Sequence, residues 1–250
     1  MKVLLTGANG YIGRRLKQTL IELNEDVSLR LLVRNPKSLD SDLDVEIVQV
    51  NTFDTASLEH ALEGIDVAYY LIHSLQKSNY SELDKKSAQN FLDAAIKQGV
   101  KRIIYLGGLG IKEKASEHLL RRIETGEILT SKPDKIETVW IRAGVIIGSG
   151  SASFEIIRHL TEKLPVMVTP KWVKTLAQPI GVDDVISYLD ASKDIDIDGN
   201  VMIDIGSEKM TYKEMMLRCA NTLGLHRWIS PLPVLTINLS SYWLNLFTPV

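Results

Sequence analysis

Three glycines at a G-x-x-G-x-x-G spacing, Gly7, Gly10 and Gly13, separate a short apolar run, Lys2–Thr6, from a helical pattern that continues to Asn24. That context suits phosphate binding. Gly7 lets the backbone turn sharply out of the strand, and Gly10 leaves no Cβ where a pyrophosphate must approach the main chain. Gly13 lets the helix pack close to the sheet. The helix start offers free N–H groups and the positive end of its dipole to the phosphates. Asn9, Tyr11 and Ile12 complete the expected contact set of the turn. About 20 residues beyond such a turn, NAD-preferring sites carry an acid for the ribose 2′-hydroxyl. Here that place holds Val33-Arg34-Asn35. An arginine suits a 2′-phosphate, because its planar fork binds phosphate in bidentate fashion. NADP(H) is therefore the expected cofactor, with NAD(H) possible. The plainer alternative for Arg34 is a solvated surface arginine.

Other chemistries find no residues. There is no P-loop lysine, no H-E-x-x-H and no G-x-S-x-G. Cys219 is the single cysteine, which leaves no intrachain disulfide and no cysteine-based metal site. A formal net charge of -2 gives no reason to expect nucleic acid or an acidic membrane surface. The first strand begins at residue 2, leaving no room for a secretory leader, so a cytoplasmic location is expected. The 250 residues, 45% hydrophobic and 24% charged, suffice for one large α/β core with a small lobe.

The elements that must position these residues alternate. Strands are expected at Val27–Val33, Val45–Val50, Asp66–Ile72, Ile103–Leu106, Thr138–Ile147 and Val201–Ile205. Helices are expected after Asp54, over Ser81–Gln98 with Gly99 at its end, over Ser116–Leu129, and over Tyr212–Leu223. Strands separated by helices of this length imply a doubly wound parallel sheet in the α/β class, with ligands beyond the carboxyl ends of the strands. That rule adds Asn51, Thr52, His73, Ser74, Gly107 and Gly108 to the candidate site. Residues 1–148 with 181–205 are expected to form the dinucleotide-binding core. Residues 149–180 and 206–250 are expected to form a smaller substrate lobe and tail.

The tail carries no charge after Arg227. Its prolines argue against a membrane span, while Leu235, Leu239, Tyr242, Trp243 and Leu246 follow helical spacing. The stretch 228–250 is expected to dock on the protein itself, on a missing C-terminal domain or on a second subunit, and to avoid the membrane.

Thr6–Gly13, Tyr69–Ser74, Arg102–Gly110, Arg121–Leu129, Arg142–Glu155 and Leu164–Val173 together carry a resemblance. The chain resembles the extended or atypical short-chain dehydrogenases/reductases, which have a Rossmann fold. That superfamily includes NAD(P)-dependent epimerases and dehydratases and NmrA-like regulators. The resemblance is closest to a bacterial subgroup in which a further domain follows, so the chain is expected to be cut before it. Active members use Tyr-x-x-x-Lys on the helix after the fifth strand, with a Ser or Thr at that strand's end. The resemblance implies that His118 and Arg122 stand at the Tyr and Lys positions, Gly107-Gly108 at the hydroxyl position, and Asp84 where Asn is frequent. Histidine can act as general acid or base, whereas arginine can hold ribose hydroxyls but cannot act as a base. His118 or His73 would supply the proton and Arg122 would hold the ribose. A structural role remains the alternative for each histidine. Arg142 would either bind a substrate anion or pair with an acid inside the fold. Two functions stay open: an NADP-dependent oxidoreductase or epimerase acting on a small, unidentified carbonyl or sugar-like substrate, and a non-catalytic NADP(H)-binding regulator.

Overall fold

The computed structural model describes residues 1–36, 45–72, 81–169 and 171–231. His73, Ser74 and the helical spacing proposed beyond residue 231 lie outside them. The chain divides into two compact units, Met1–Ala143 with Asp183–Ile205, and Gly144–Val182 with Gly206–Val250.

The first unit opens with β1 (Lys2–Thr6), α1 (Tyr11–Glu22), β2 (Ser28–Val33), β3 (Glu46–Gln49) and α2 (Thr55–Leu62). It continues through β4 (Val67–Tyr70), α3 (Ser81–Lys97), β5 (Arg102–Gly108), α4 (Glu117–Leu129) and β6 (Glu137–Ala143). The chain then runs through β7 (Val145–Ile147), α5 (Ala152–Lys163), β8 (Val166–Thr169), β9 (Leu176–Ala177) and β10 (Pro179–Gly181). Next come α6 (Val182–Ala191), β11 (Asn200–Ile205), β12 (Met210–Thr211), α7 (Tyr212–Thr222) and β13 (Trp228–Pro231).

Seven strands form one parallel sheet in the order β11-β6-β5-β4-β1-β2-β3. The chain winds outward from β1 to β3, then crosses back to β4 and winds the other way. The reversal falls between β1 and β4, where a doubly wound sheet binds its ligand. Strands covered on both faces read as continuous apolar runs, and Val3–Thr6, Val67–Tyr70 and Arg102–Gly108 are buried throughout. Aromatic contacts fill one face: Tyr70 meets Phe91 edge to face at 5.0 Å, and Tyr105 lies 6.2 Å from Trp140. Asp66 ties three strand starts together. Its carboxylate accepts the Lys2 N–H at 2.8 Å and the Lys101 ammonium at 2.9 Å, while its carbonyl accepts the Lys101 N–H at 3.0 Å. These bonds to the charged form hold its pKa below the usual carboxylate value.

The second unit has a methionine-rich core, with Met167, Met210, Met215 and Met216 packed on Ile157 and Leu160. A capping box starts α7, in which Thr211 and Glu214 exchange side-chain-to-backbone bonds. One expectation changes. The run Thr138–Ile147 is two strands, because the chain bends at Gly144, where a Cβ would lie 1.7 Å from the Gln178 carbonyl oxygen. Trp228–Pro231 is a strand paired in parallel with β8, so the first residues of the tail pack on their own unit. Among the described residues no helix is long and apolar enough to cross a membrane, and no His, Cys, Asp or Glu group could hold a metal ion.

Candidate functional site

The glycine turn is closed by contacts that only glycine permits. Gly7 has φ +67°, and a Cβ there would sit 2.7 Å from the Leu71 carbonyl oxygen. A Cβ on Gly13 would sit 2.1 Å from the Gly7 carbonyl oxygen, so the first turn of α1 lies directly against the end of β1. The turn is held by the Gly10 N–H, which donates to the Gly7 carbonyl at 2.9 Å. Thr6 anchors it from below. The buried Thr6 hydroxyl donates to the Tyr69 carbonyl at 3.0 Å and accepts the Leu71 N–H at 2.9 Å. Gly10 caps α1 with extended backbone, no side chain accepts a cap bond, and the first turn holds no acid. The N–H groups of Tyr11, Ile12 and Gly13 have no intrahelical acceptor at this end, and the dipole is not offset by a carboxylate. Asn9 is exposed; Tyr11 and Ile12 are half-buried. The Arg15 guanidinium stacks 4.1 Å over the Tyr11 ring and donates to its carbonyl at 3.2 Å.

Arg34 follows β2 directly and is exposed; its carbonyl accepts from the Gln49 side chain at 3.0 Å. Asn51 and Thr52 serve the local structure. The Asn51 side chain accepts the Phe53 N–H at 3.1 Å, its carbonyl accepts the Asp54 N–H at 2.9 Å, and Asp54 caps α2. The Thr52 carbonyl accepts from Asn90 of α3 at 3.0 Å.

A second cluster sits where α3 and α4 flank β4 and β5. A water-sized cavity of about 10 Å³ is lined by Tyr70, Asp84, Tyr105, His118, Arg121 and Arg122, among others. Burial, and then the Arg122 and Arg121 charges, hold the His118 pKa below the ordinary histidine value, with Asp84 opposing them. Arg122 donates through Nη2 to the Leu106 carbonyl at 3.1 Å, while its buried Nε–H finds no acceptor among the described residues. The Tyr105 hydroxyl donates to the Arg122 carbonyl at 2.8 Å, and burial pushes its pKa up to about 12. Tyr70, bonded to Ser87 at 3.0 Å, is also raised by burial. His118 and Arg122 thus share one cavity, one helical turn apart. Gly107 lies elsewhere. A Cβ there would meet the Trp140 Nε1 at 2.4 Å, and one on Gly126 of α4 would meet the same ring at 2.3 Å. Both glycines make room for the Trp140 indole. Arg142 is taken by Asp204, its cross-strand partner on β11, through bonds of 2.6 and 2.8 Å.

Sequence reasoning missed Thr6, Tyr105 and Trp140. A lone hydroxyl in an otherwise apolar strand was the available signal for Thr6. Nothing local marks the other two, since their roles depend on strand pairing.

The family model for NAD(P)H-binding proteins matches residues 7–139, from the first glycine of the turn into β6 and over more than half of the chain. The chain belongs to the NAD(P)H-binding family. It is 30% identical over 126 residues to the auxiliary protein GraX of Staphylococcus aureus, which is 47% of this chain and 40% of that protein. It is 25% identical over 183 residues to the (4-alkanoyl-5-oxo-2,5-dihydrofuran-3-yl)methyl phosphate reductase of Streptomyces griseus, 70% of this chain and 61% of that one. It therefore spans less than two thirds of these curated relatives. The solved triphenylmethane reductase of Citrobacter sp. shares the fold at TM-score 0.81 and 18% identity, covering 100% of this chain and 84% of that one.

For an NAD(P)H-binding protein the turn has the right chemistry. The contacts at Gly7 and Gly13 close the turn and bring α1 against β1, Gly10 is exposed and presents no side chain, and the uncapped start of α1 supplies donors of the right sign.

Proposed function

We propose that the protein is an NADP(H)-dependent oxidoreductase acting on a small carbonyl compound or the corresponding alcohol. The observation that carries this reading is the glycine cradle itself: Gly7 and Gly13 in contact with backbone, beneath a helix start that no side chain caps. Arg34, exposed at the end of β2, reads the 2′-phosphate. When bound, the nicotinamide supplies or accepts the hydride. His118 handles the proton. Burial, and then the Arg122 and Arg121 charges, favour neutral imidazole, the form that takes a hydroxyl proton as the hydride leaves the carbinol carbon and the carbonyl forms. In the reverse direction the imidazolium returns that proton to the carbonyl oxygen. Arg122, held on the Leu106 carbonyl of β5, would hold the nicotinamide ribose. Two of the relatives named above are themselves reductases.

One observation favours a second reading, an NADP(H) sensor without turnover. The cavity beside His118 holds no more than a water, and one relative is named an auxiliary protein. The test is NADPH oxidation against a panel of carbonyls and quinones, with wild type and His118→Ala. Oxidoreductase action gives turnover in the wild type and a loss of about a hundredfold or more in the variant, with NADPH affinity unchanged. Tight NADPH binding without turnover on any acceptor establishes the sensor.

A further inference from the structure

The cavity beside His118 contains a donor that the proposed chemistry leaves unexplained. Arg122 lines it from α4, and its buried Nε–H has no acceptor among the described residues. Its Nη2 is committed to the Leu106 carbonyl at 3.1 Å, and its own carbonyl accepts the Tyr105 hydroxyl at 2.8 Å. Side chain and backbone of Arg122 are therefore both tied to β5, and the Nε–H cannot swing away to another partner. Buried donors of this kind are satisfied by ordered water where the space is polar and large enough. Both conditions hold. The cavity measures about 10 Å³, room for one water, and Tyr70, Asp84, Tyr105 and Thr125 bring oxygen atoms to its wall.

Asp84 is the one acid in that wall. The other charges around His118 are engaged elsewhere. Arg121 pairs with Glu117 along α4, Lys85 of α3 pairs with Glu124 at 3.2 Å and with Glu82 at 3.6 Å, and Lys112 pairs with Glu127. Burial keeps Tyr70 of β4 and Tyr105 of β5 neutral. Arg122 and Asp84 thus line one small polar cavity with opposite charges, and neither is in an ion pair among the described residues. On the reading that His118 handles the proton, we infer that one ordered water in this cavity accepts the Arg122 Nε–H and donates to the Asp84 carboxylate. The bridge joins α3 to α4 and makes Asp84 a positioning residue, which keeps a negative charge beside His118 against two guanidinium groups. That charge favours the imidazolium form, in opposition to burial and the arginines.

The test has two parts, both on the whole chain and neither needing turnover. The first is NMR titration of the histidine ring signals in wild type, Asp84→Asn, Asp84→Glu and Glu124→Gln, with His118 assigned by its loss in His118→Gln. Asp84→Asn is expected to move the His118 midpoint to lower pH, because a carboxylate that favours the imidazolium is gone. Asp84→Glu returns the midpoint toward the wild-type value. Glu124→Gln removes an acid engaged with Lys85 and leaves the midpoint in place. The second part is a high-resolution crystal structure of the wild type, expected to show a water about 2.7–3.2 Å from both Arg122 Nε and an Asp84 oxygen. An unmoved midpoint in Asp84→Asn, or a cavity in which no water touches both groups, overturns the inference; the crystal structure decides alone if the variant does not fold. Where the carbonyl panel gives turnover, the acid limb of alcohol oxidation follows the NMR midpoint from variant to variant. A midpoint that shifts in a protein without turnover strikes the catalytic reading of His118 and leaves the bridge standing.

Discussion

Thr6 and Leu71 are joined across the reversal point of the sheet. The buried Thr6 hydroxyl accepts the Leu71 N–H at 2.9 Å, and Leu71 in turn presents the carbonyl against which Gly7 is packed. One hydroxyl therefore sets the wall of the phosphate-binding turn. Thr6→Val keeps the shape but leaves the Leu71 N–H unpaired. It is expected to cost about 1–3 kcal/mol of stability. Urea unfolding checks the cost, and a weaker NADPH affinity in the variant checks the link to the turn. An unchanged unfolding midpoint would show that water replaces the hydroxyl.

Gly13→Ala meets backbone, which cannot rotate away as a side chain does. The new Cβ would press on the Gly7 carbonyl oxygen, 2.1 Å away, so α1 must back off from β1. The expected outcome is a loss of about 1–3 kcal/mol of stability together with at least a tenfold weaker nucleotide affinity. Calorimetric titration with NADPH and thermal unfolding measure both. Full affinity in this variant would contradict the close approach of helix and strand.

The pH response of His118 has a definite sign. Its folded-state pKa lies below the unfolded value, through burial and the Arg122 and Arg121 charges. The unfolded state therefore binds the proton first, and stability falls as pH drops from the ordinary histidine range to the lowered folded value. Above that range the residue contributes no pH dependence. His118→Gln is expected to flatten this segment of the stability–pH curve. In the wild type, alcohol oxidation is expected to hold its rate to a lower pH than an ordinary histidine base allows, and then to fall. A limb centred at the usual histidine value would remove the influence assigned to burial and the arginines.

Arg142 and Asp204 form a bidentate pair between adjacent strands of one sheet, both partly exposed. Arg142→Lys loses the fork geometry but keeps the charge, and is expected to cost about 0.2–1 kcal/mol. Activity in the carbonyl panel is expected to change by less than about threefold. A collapse of kcat/KM with unaltered stability would return Arg142 to substrate binding.

Much of the architecture was legible because its determinants are local. The turn from Gly7 to Gly13, the cap at Asp54 and the buried run Val67–Tyr70 each announce themselves within a few residues. The bend at Gly144 was not legible, since its cause is the Gln178 carbonyl, far away in sequence. The same holds for Trp228–Pro231, an uncharged run whose pairing with β8 no local spacing reveals. In the candidate site, the pairing of His118 with Arg122 follows from helix periodicity. The choice of Asp204 for Arg142 depended on strand register. The occupation of the space beside Gly107 by Trp140 depended on three elements meeting, which periodicity does not encode.

That last contact constrains how this strand end can change over evolutionary time. A serine at position 107 brings a Cβ to within 2.4 Å of the indole nitrogen, so it is accommodated only alongside a smaller side chain at 140. The two positions are coupled sterically, so the order of substitution matters. Trimming Trp140 first opens a void between β6 and α4, while adding the serine first forces a clash, so each single step is a disadvantage that the double change removes. With Trp140 in place, a hydroxyl at 107 is closed off to this strand end by packing alone.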